Sequence, residues 1–252
     1  MVIAVVNQKG GVGKTTTAVN LSAYLAALGK FTLLIDIDPQ ANATSGVGIE
    51  KNEKGIYEVI LNKAEIKNVI FDSFIHTHKI IPSSPGLAGA TVELVNEENR
   101  EFALNNILLE IKNNFDYIII DCPPSLDLLT LNGLVAADKV LIPVQAEYYA
   151  LEGLGSLLNT ISLVKDNLKP NLGILGSVIT MYDKRNSLSK EVLNEMYKNF
   201  PFKIFRSVIP RNVRLTEAPS YGQTILQYDP KSKGGKAYER LAKEILDHLS
   251  WQ

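Results

Sequence analysis

The run Lys9-Gly10-Gly11-Val12-Gly13-Lys14-Thr15-Thr16 concentrates phosphate chemistry more densely than any other stretch of the chain. Glycines let backbone N–H groups turn inward around phosphate oxygens without Cβ clashes. A helix N-terminus adds its partial positive charge. Lys14 has the reach for β- and γ-phosphates, and the Thr15 hydroxyl can ligate Mg²⁺. The octet follows an apolar run, Val2–Val6, and opens a helical pattern from about Thr15 to Leu28. That strand–loop–helix context is what a P-loop requires. The loop departs from the ordinary pattern in two ways. Gln8 stands where the usual motif has its first glycine, and a second lysine, Lys9, follows it. One nucleotide rarely needs two lysines from one loop, so Lys9 could reach a nucleotide held by a second subunit.

Two acidic strand ends supply the remaining chemistry. Tyr117–Ile120 is apolar and ends in Asp121, a carboxylate placed to hold Mg²⁺ through its water. Asp36-Ile37-Asp38-Pro39-Gln40 follows the strand expected at Phe31–Ile35, and alternation puts Asp36 and Asp38 on one side. One of the two can orient the attacking water, and Asp36 is a second metal candidate; the plain alternative is Asp-Pro turn chemistry. The guanine-reading Asn/Thr-Lys-x-Asp element is missing after Asp121, since Asn62-Lys63-Ala64-Glu65 lies before it and ends in Glu. ATP is therefore the expected nucleotide.

The elements that must hold these groups are legible as alternation of short apolar runs with helical patterns. Strands are expected at Val140–Pro143, Ile174–Thr180 and near Lys79–Pro82. Helices are expected from Leu151 to Leu168 and near Glu98–Asn113. Runs this apolar suit strands buried on both faces of a parallel sheet. The predicted fold is α/β: a doubly wound, mostly parallel sheet with helices on both faces, in one domain spanning 1–252. Composition narrows the class further. The single cysteine, Cys122, excludes a disulfide framework and a multi-Cys metal site within the chain. No run approaches a membrane span and no secretion signal opens the chain, so a cytoplasmic protein is expected. Net charge is −1, yet it is unevenly spread: residues 160–215 hold 10 basic and 4 acidic side chains, including four of the six arginines. Such clustering is the footprint of a phosphate-binding surface, or simply of a solvated basic face.

With these residues in view, the chain closely resembles the ParA/Soj partition ATPases of the deviant-Walker-A group, which also contains MinD. The resemblance is carried by Asn7–Thr17, by Asp36–Gly46, by Tyr117–Ser125, by Glu147–Leu154 and by Ile209–Pro219. One departure is Ala41, where many members have glycine. The resemblance implies an ATP-driven sandwich homodimer in which Lys9 reaches the partner's nucleotide. It implies that Gly10, Gly11, Val12, Gly13, Lys14, Thr15 and Thr16 bind ATP, with Pro210 and Asn212 at the adenine. It implies that Asp38 positions the water, with Lys9 and Lys14 assisting. Double-stranded DNA would be bound without sequence preference through Arg185 and Arg214, extended by Arg206 and Lys203. A ParB/Spo0J-like centromere-binding partner would stimulate slow hydrolysis and release the protein from the nucleoid. Because the P-loop begins at residue 9, the N-terminal helix-turn-helix domain of larger members is expected to be absent.

A MinD-like membrane-cycling ATPase is the alternative, and it would need a basic amphipathic tail. The tail Lys236–Gln252 has an apolar stripe at Ala237, Leu241, Ile245 and Leu249, and Trp251 near its end. Its polar face is charge-balanced, which favours packing on its own domain. A reductase with a dimer-bridging cluster would need a second cysteine. A P-loop synthetase would need a substrate site in place of the arginine cluster. Another reading of Arg185 and Arg214 is pairing with Asp183 and Glu217.

Overall fold

Alternation along each strand is what divides this molecule into layers. On the first strand, β1 (Val2–Val5), the side chains of Val2 and Ala4 enter one apolar cluster and those of Ile3 and Val5 the other. β5 (Tyr117–Asp121) repeats the division, with Ile118 and Ile120 on one side and Ile119 on the other, all fully buried. Burying each such isoleucine contributes about 2–3 kcal/mol. The computed structural model describes residues 1–51, 54–147 and 152–250; Leu151 and Trp251, used above, lie outside them.

The remaining strands are β2 (Thr32–Asp36), β3 (Phe71–Asp72), β4 (His78–Ile81), β6 (Lys139–Gln145) and β7 (Gly173–Thr180). They form one seven-stranded sheet in the order β3-β4-β2-β5-β1-β6-β7. Every neighbouring pair is parallel except β3–β4. The helices, in chain order, are α1 (Lys14–Ala27), α2 (Asn42–Gly46), α3 (Ile56–Ile60), α4 (Leu87–Glu93), α5 (Ala103–Leu108) and α6 (Leu128–Ala136). They continue as α7 (Glu152–Asn167), α8 (Ser187–Asn199), α9 (Val213–Glu217), α10 (Ile225–Tyr228) and α11 (Lys233–Ser250). α1 and α11 cover one face through Leu21, Leu25, Leu241 and Ile245. α3, α5, α6 and α7 cover the other through Ile56, Leu104, Leu134 and Leu157. The sheet is doubly wound, and strand order reverses beside β1, the place where such sheets open a ligand crevice at their carboxyl ends.

Two expectations need correction. The helix near Glu98–Asn113 is broken into a 3₁₀ turn at Arg100–Phe102, α5, and a second 3₁₀ turn at Lys112–Asn114. Its start is fixed by a remote group, since the Asn132 side chain accepts the Leu104 N–H at 3.0 Å, a cap 28 residues away in sequence. The antiparallel edge strand β3, only two residues long, was not expected. The apolar stripe of α11 is packed inward, with Ala237, Leu241 and Ile245 fully buried. Among the described residues no helix is long and apolar enough to cross a membrane.

Candidate nucleotide site and arginine surface

Strand register brings the acidic groups to the loop. Asp36 pairs with Asp121 across β2 and β5, and Val5, four residues before the P-loop opens, pairs with Asp121 across β1 and β5. Alternation turns both carboxylates to the face that carries α1. The loop between β1 and α1 takes left-handed backbone at Gly11 (φ 74°) and Gly13 (φ 87°), conformations that disfavour a side chain. Its far side is fixed by the Thr180 hydroxyl, which donates to the Val12 carbonyl at 2.7 Å. The Asn7 amide donates to the Pro143 carbonyl at 2.7 Å, and its oxygen accepts the Lys9 N–H at 3.0 Å.

The two lysines of the loop are treated differently. Lys14 is 7% exposed, and its ammonium donates to the Lys9 carbonyl at 2.9 Å. Burial pulls its pKa below the usual lysine value, against the attraction of Asp121 and Asp38. Lys9 is half-buried and forms no ion pair among the described residues. At Gly10 an added Cβ would meet nothing within 4 Å, and its φ is ordinary.

The three carboxylates also differ. Asp121 is fully buried, and neither carboxylate oxygen has a hydrogen-bond partner. Burial raises its pKa well above the carboxylate range, Asp36 adds to the rise, and the nearby Thr15 hydroxyl opposes it. Two orphaned buried oxygens beside a hydroxyl suit a hydrated divalent cation. Asp36 is fully engaged: one oxygen accepts both the N–H and the hydroxyl of Thr44 at 2.8 Å, the other the Asp38 N–H at 3.1 Å. Burial still lifts its pKa to about 6, opposed by those hydrogen bonds. Asp38 lies two residues past β2, 7% exposed, with one oxygen accepting the Gln40 N–H at 2.9 Å. It lines a cavity of about 310 Å³ together with Gly10, Gly11, Gly13, Lys14 and Thr15. A second cavity, about 370 Å³, is lined by Pro210, Asn212, Leu215 and Tyr238. Gly13, Thr16 and Met181 line both, so the two cavities adjoin as one tract.

Residues 1–174 match the family described as AAA domain. The chain is 53% identical over 246 residues to the sporulation initiation inhibitor protein Soj of Bacillus subtilis (strain 168), covering 97% of each chain. It is 51% identical over 247 residues to the chromosome partitioning protein ParA of Myxococcus xanthus (strain DK1622), covering 97% of this chain and 87% of that one. Its fold is similar to cobyrinic acid a,c-diamide synthase from Mycobacterium smegmatis, solved with bound ADP and magnesium. There the TM-score is 0.88 at 37% identity, covering 99% of this chain and 95% of that one. The chain belongs to the ParA/Soj family of partition ATPases.

On this ParA/Soj chain the arginines flank the far end of the nucleotide tract. Arg185 follows β7, 85% exposed at its side chain, and is paired in a fork with Asp183 at 2.9 and 3.1 Å. That guanidinium pulls the Asp183 pKa down to about 2. Arg214 lies on α9, paired with Glu217 at 2.9 Å and with Asp229 at 3.6 Å. The pairing with Asp183 and Glu217 weighed from sequence is thus present. Lys203 and Arg206 lie on the segment that runs beside β7. The Lys203 carbonyl accepts the Ser177 N–H in the middle of that strand, and the Arg206 N–H donates to the Glu244 carboxylate of α11, whereas Arg185 follows the end of the strand. The sequence reading missed Thr44, Ser83, Met181 and Tyr238. Thr44 lay inside the Asp36–Gly46 stretch; no sequence signal marks the other three.

Proposed function

We propose that this chain is a cytoplasmic, nucleoid-associated ATPase that segregates DNA. ATP binding assembles a homodimer, the dimer holds double-stranded DNA without sequence preference, and hydrolysis stimulated by a ParB/Spo0J-like partner releases it. The observation that carries this reading is the placing of Asn212. It lines the base end of the nucleotide tract, and its side chain caps α9 by accepting the Arg214 N–H at 2.8 Å. A bound base and a DNA phosphate would therefore touch neighbouring residues of the same first turn of α9, Asn212 at its cap and Arg214 two residues on. Pro210 would flank the base beside Asn212.

In the reaction, the backbone N–H groups of Gly11–Thr15 cradle the phosphates and Lys14 neutralises the β- and γ-oxygens. Thr15 and Asp121, the latter through water, would hold Mg²⁺, which would supply positive charge to offset that of the β- and γ-phosphates. Asp36, with its acceptors already occupied, organises the loop rather than the metal. The Asp38 carboxylate accepts a hydrogen bond from the attacking water and aims it at the γ-phosphorus, whose bond to the ADP oxygen breaks. Lys9 reaches across the dimer to the other nucleotide. The open space around Gly10 supports that dimer: its missing side chain serves nothing within this subunit, and a second backbone can approach there. The synthase named above is a less similar protein, at 37% identity against 53% for Soj.

The test is DNA retention with ATP, ADP and a non-hydrolysable ATP analogue, with and without a ParB-like partner. Retention is expected with ATP and the analogue, and partner-driven release with ATP alone. Equal retention in ADP would refute the nucleotide switch.

A further inference from the structure

The turn that carries Asp38 is held from behind by a buried chain of hydrogen bonds through Asp36, Thr44 and Ser83. The Asp38 N–H donates to Asp36 at 3.1 Å, and the Asp38 carbonyl accepts the Ser83 hydroxyl at 2.7 Å. Its backbone is therefore gripped at both polar groups. The two grips are joined through Thr44. The Thr44 hydroxyl donates to Asp36 at 2.8 Å and accepts the Ser83 N–H at 2.8 Å. Each hydroxyl proton in this chain is used once, so both rotors have one satisfied setting. Asp36, Thr44 and Ser83 are all fully buried. A network of this kind, fully satisfied in a low-dielectric interior, rigidifies what it holds.

Ser83 reaches Asp38 from the loop after β4, 45 residues away. That loop is itself fixed, because the Pro82 carbonyl accepts the Ile56 N–H at 2.9 Å and a Cβ at Gly55 would collide with the same carbonyl. No residue between 54 and 116 lines the two nucleotide cavities. Thr44 and Ser83 line neither of them either. Both touch the reaction only through Asp38.

We propose that Thr44 and Ser83 are positioning residues for ATP hydrolysis, setting the place of the Asp38 carboxylate, and so of the attacking water, without contacting the nucleotide. This rests on the reading of Asp38 as the residue that orients water. Displacing a reacting group by a fraction of an ångström to an ångström lowers the rate of the chemical step while leaving ground-state binding alone.

The test measures kcat, KM, equilibrium ATP affinity and thermal midpoint for Asp38→Ala, Ser83→Ala, Thr44→Val and Thr44→Ser. Ser83→Ala is expected to lower kcat about tenfold, with ATP affinity within about twofold of wild type. Thr44→Val should lower kcat at least as far, and Thr44→Ser, which keeps the hydroxyl, should restore it. Wild-type kcat in a folded Ser83→Ala protein overturns the proposal, as does an ATP affinity that falls in step with kcat. If Thr44→Val does not fold, Ser83→Ala decides alone, since the Asp38 carbonyl keeps the Ala41 N–H at 2.8 Å. Asp38→Ala separates the two ideas. Normal turnover there removes the role of Asp38 itself; lost turnover there with normal turnover in Ser83→Ala removes only the positioning role.

Discussion

The nucleotide edge and the arginine surface use charge in opposite ways. At the edge, Lys14, Asp36, Asp38 and Asp121 are each at most 7% exposed, so every one is fixed by hydrogen bonds or poised by desolvation. On the surface, Arg185 and Arg214 are open to water and already paired with acids of their own chain. Buried charges act over one or two bonds, through geometry, and salt screens them little. Exposed charges act by summed potential and are screened within about 10 Å at moderate salt. The first arrangement suits a chemical step and the second suits a reversible hold on a polyanion. Exposed ion pairs contribute about 0–1 kcal/mol, so exchange of Asp183 or Glu217 for a DNA phosphate costs little.

The largest effects are expected at the buried edge. Lys14→Ala should abolish measurable ATP binding. Asp38→Ala should lower turnover about a hundredfold or more while ATP binding persists, because the phosphate cradle is untouched. Neither loss should soften at high salt. A salt-dependent rescue of either, or comparable loss of ATP affinity in both, would break the comparison at its stronger end.

Gly10→Val sharpens it next. No atom lies within 4 Å of the added Cβ, so the subunit should fold and bind ATP as a monomer. Dimerisation in ATP should be lost if a second backbone occupies that space. Sizing in the presence of the non-hydrolysable analogue decides; a normal dimer removes the role given to Gly10.

At the surface, Arg185→Glu and Arg214→Glu should each reduce DNA affinity about tenfold or more while leaving ATPase activity in the absence of DNA near wild type. In a dimer each change removes about two phosphate contacts, so the slope of log affinity against log salt should fall by about two. Lys203→Glu should do less, since Lys203 lies beside Gly176 and Ser177 in the middle of β7, whereas Arg185 follows the end of that strand. An unchanged salt slope in both arginine variants would deny them contact with phosphate.

Much of the buried edge was legible because its chemistry is local. The glycine loop, Lys14, Asp121 and the strand–helix alternation are short-range patterns, and the structure places them together as β1, α1, β2 and β5. What escaped depends on contacts remote in sequence. The cap on α5 comes from Asn132, and the brace on Asp38 comes from Ser83. The two-residue strand β3 is too short to carry a period at all.

His78 offers a milder, pH-driven contrast. Its ring is fully buried, with one nitrogen bonded to the Ser22 hydroxyl at 2.9 Å, and burial pushes its pKa down to about 4. The folded state therefore takes up this proton only near pH 4, while the unfolded chain takes it up near 6.5. The unfolded state binds more protons in that window, so stability falls as pH falls from about 6.5 to 4, by up to about 3 kcal/mol from this group. Denaturant titrations across that range should show a shallower acid slope in His78→Gln. Salt should not alter the difference; a difference that vanishes at high salt would mean an exposed charge is responsible.

The smallest effect is expected at Ala41, and it involves no charge. Ala41 closes the turn after Asp38 with φ 51° and ψ 42°, left-handed backbone that costs a Cβ-bearing residue roughly 1 kcal/mol or more. The turn is held there because the Ala41 N–H donates to the Asp38 carbonyl at 2.8 Å and its own carbonyl accepts the Ser45 N–H at 3.2 Å. Glycine would relieve the strain but lose more backbone freedom on folding, about 0.5–1 kcal/mol. The two terms nearly cancel. Ala41→Gly is therefore expected to raise stability by less than about 1 kcal/mol, with no dependence on salt or pH. Because the same carbonyl of Asp38 receives both Ala41 and Ser83, kcat should also hold within about twofold if Ser83 is the stronger brace. Destabilisation beyond about 1 kcal/mol would mean that the Ala41 methyl, fully buried, packs more favourably than its backbone is strained.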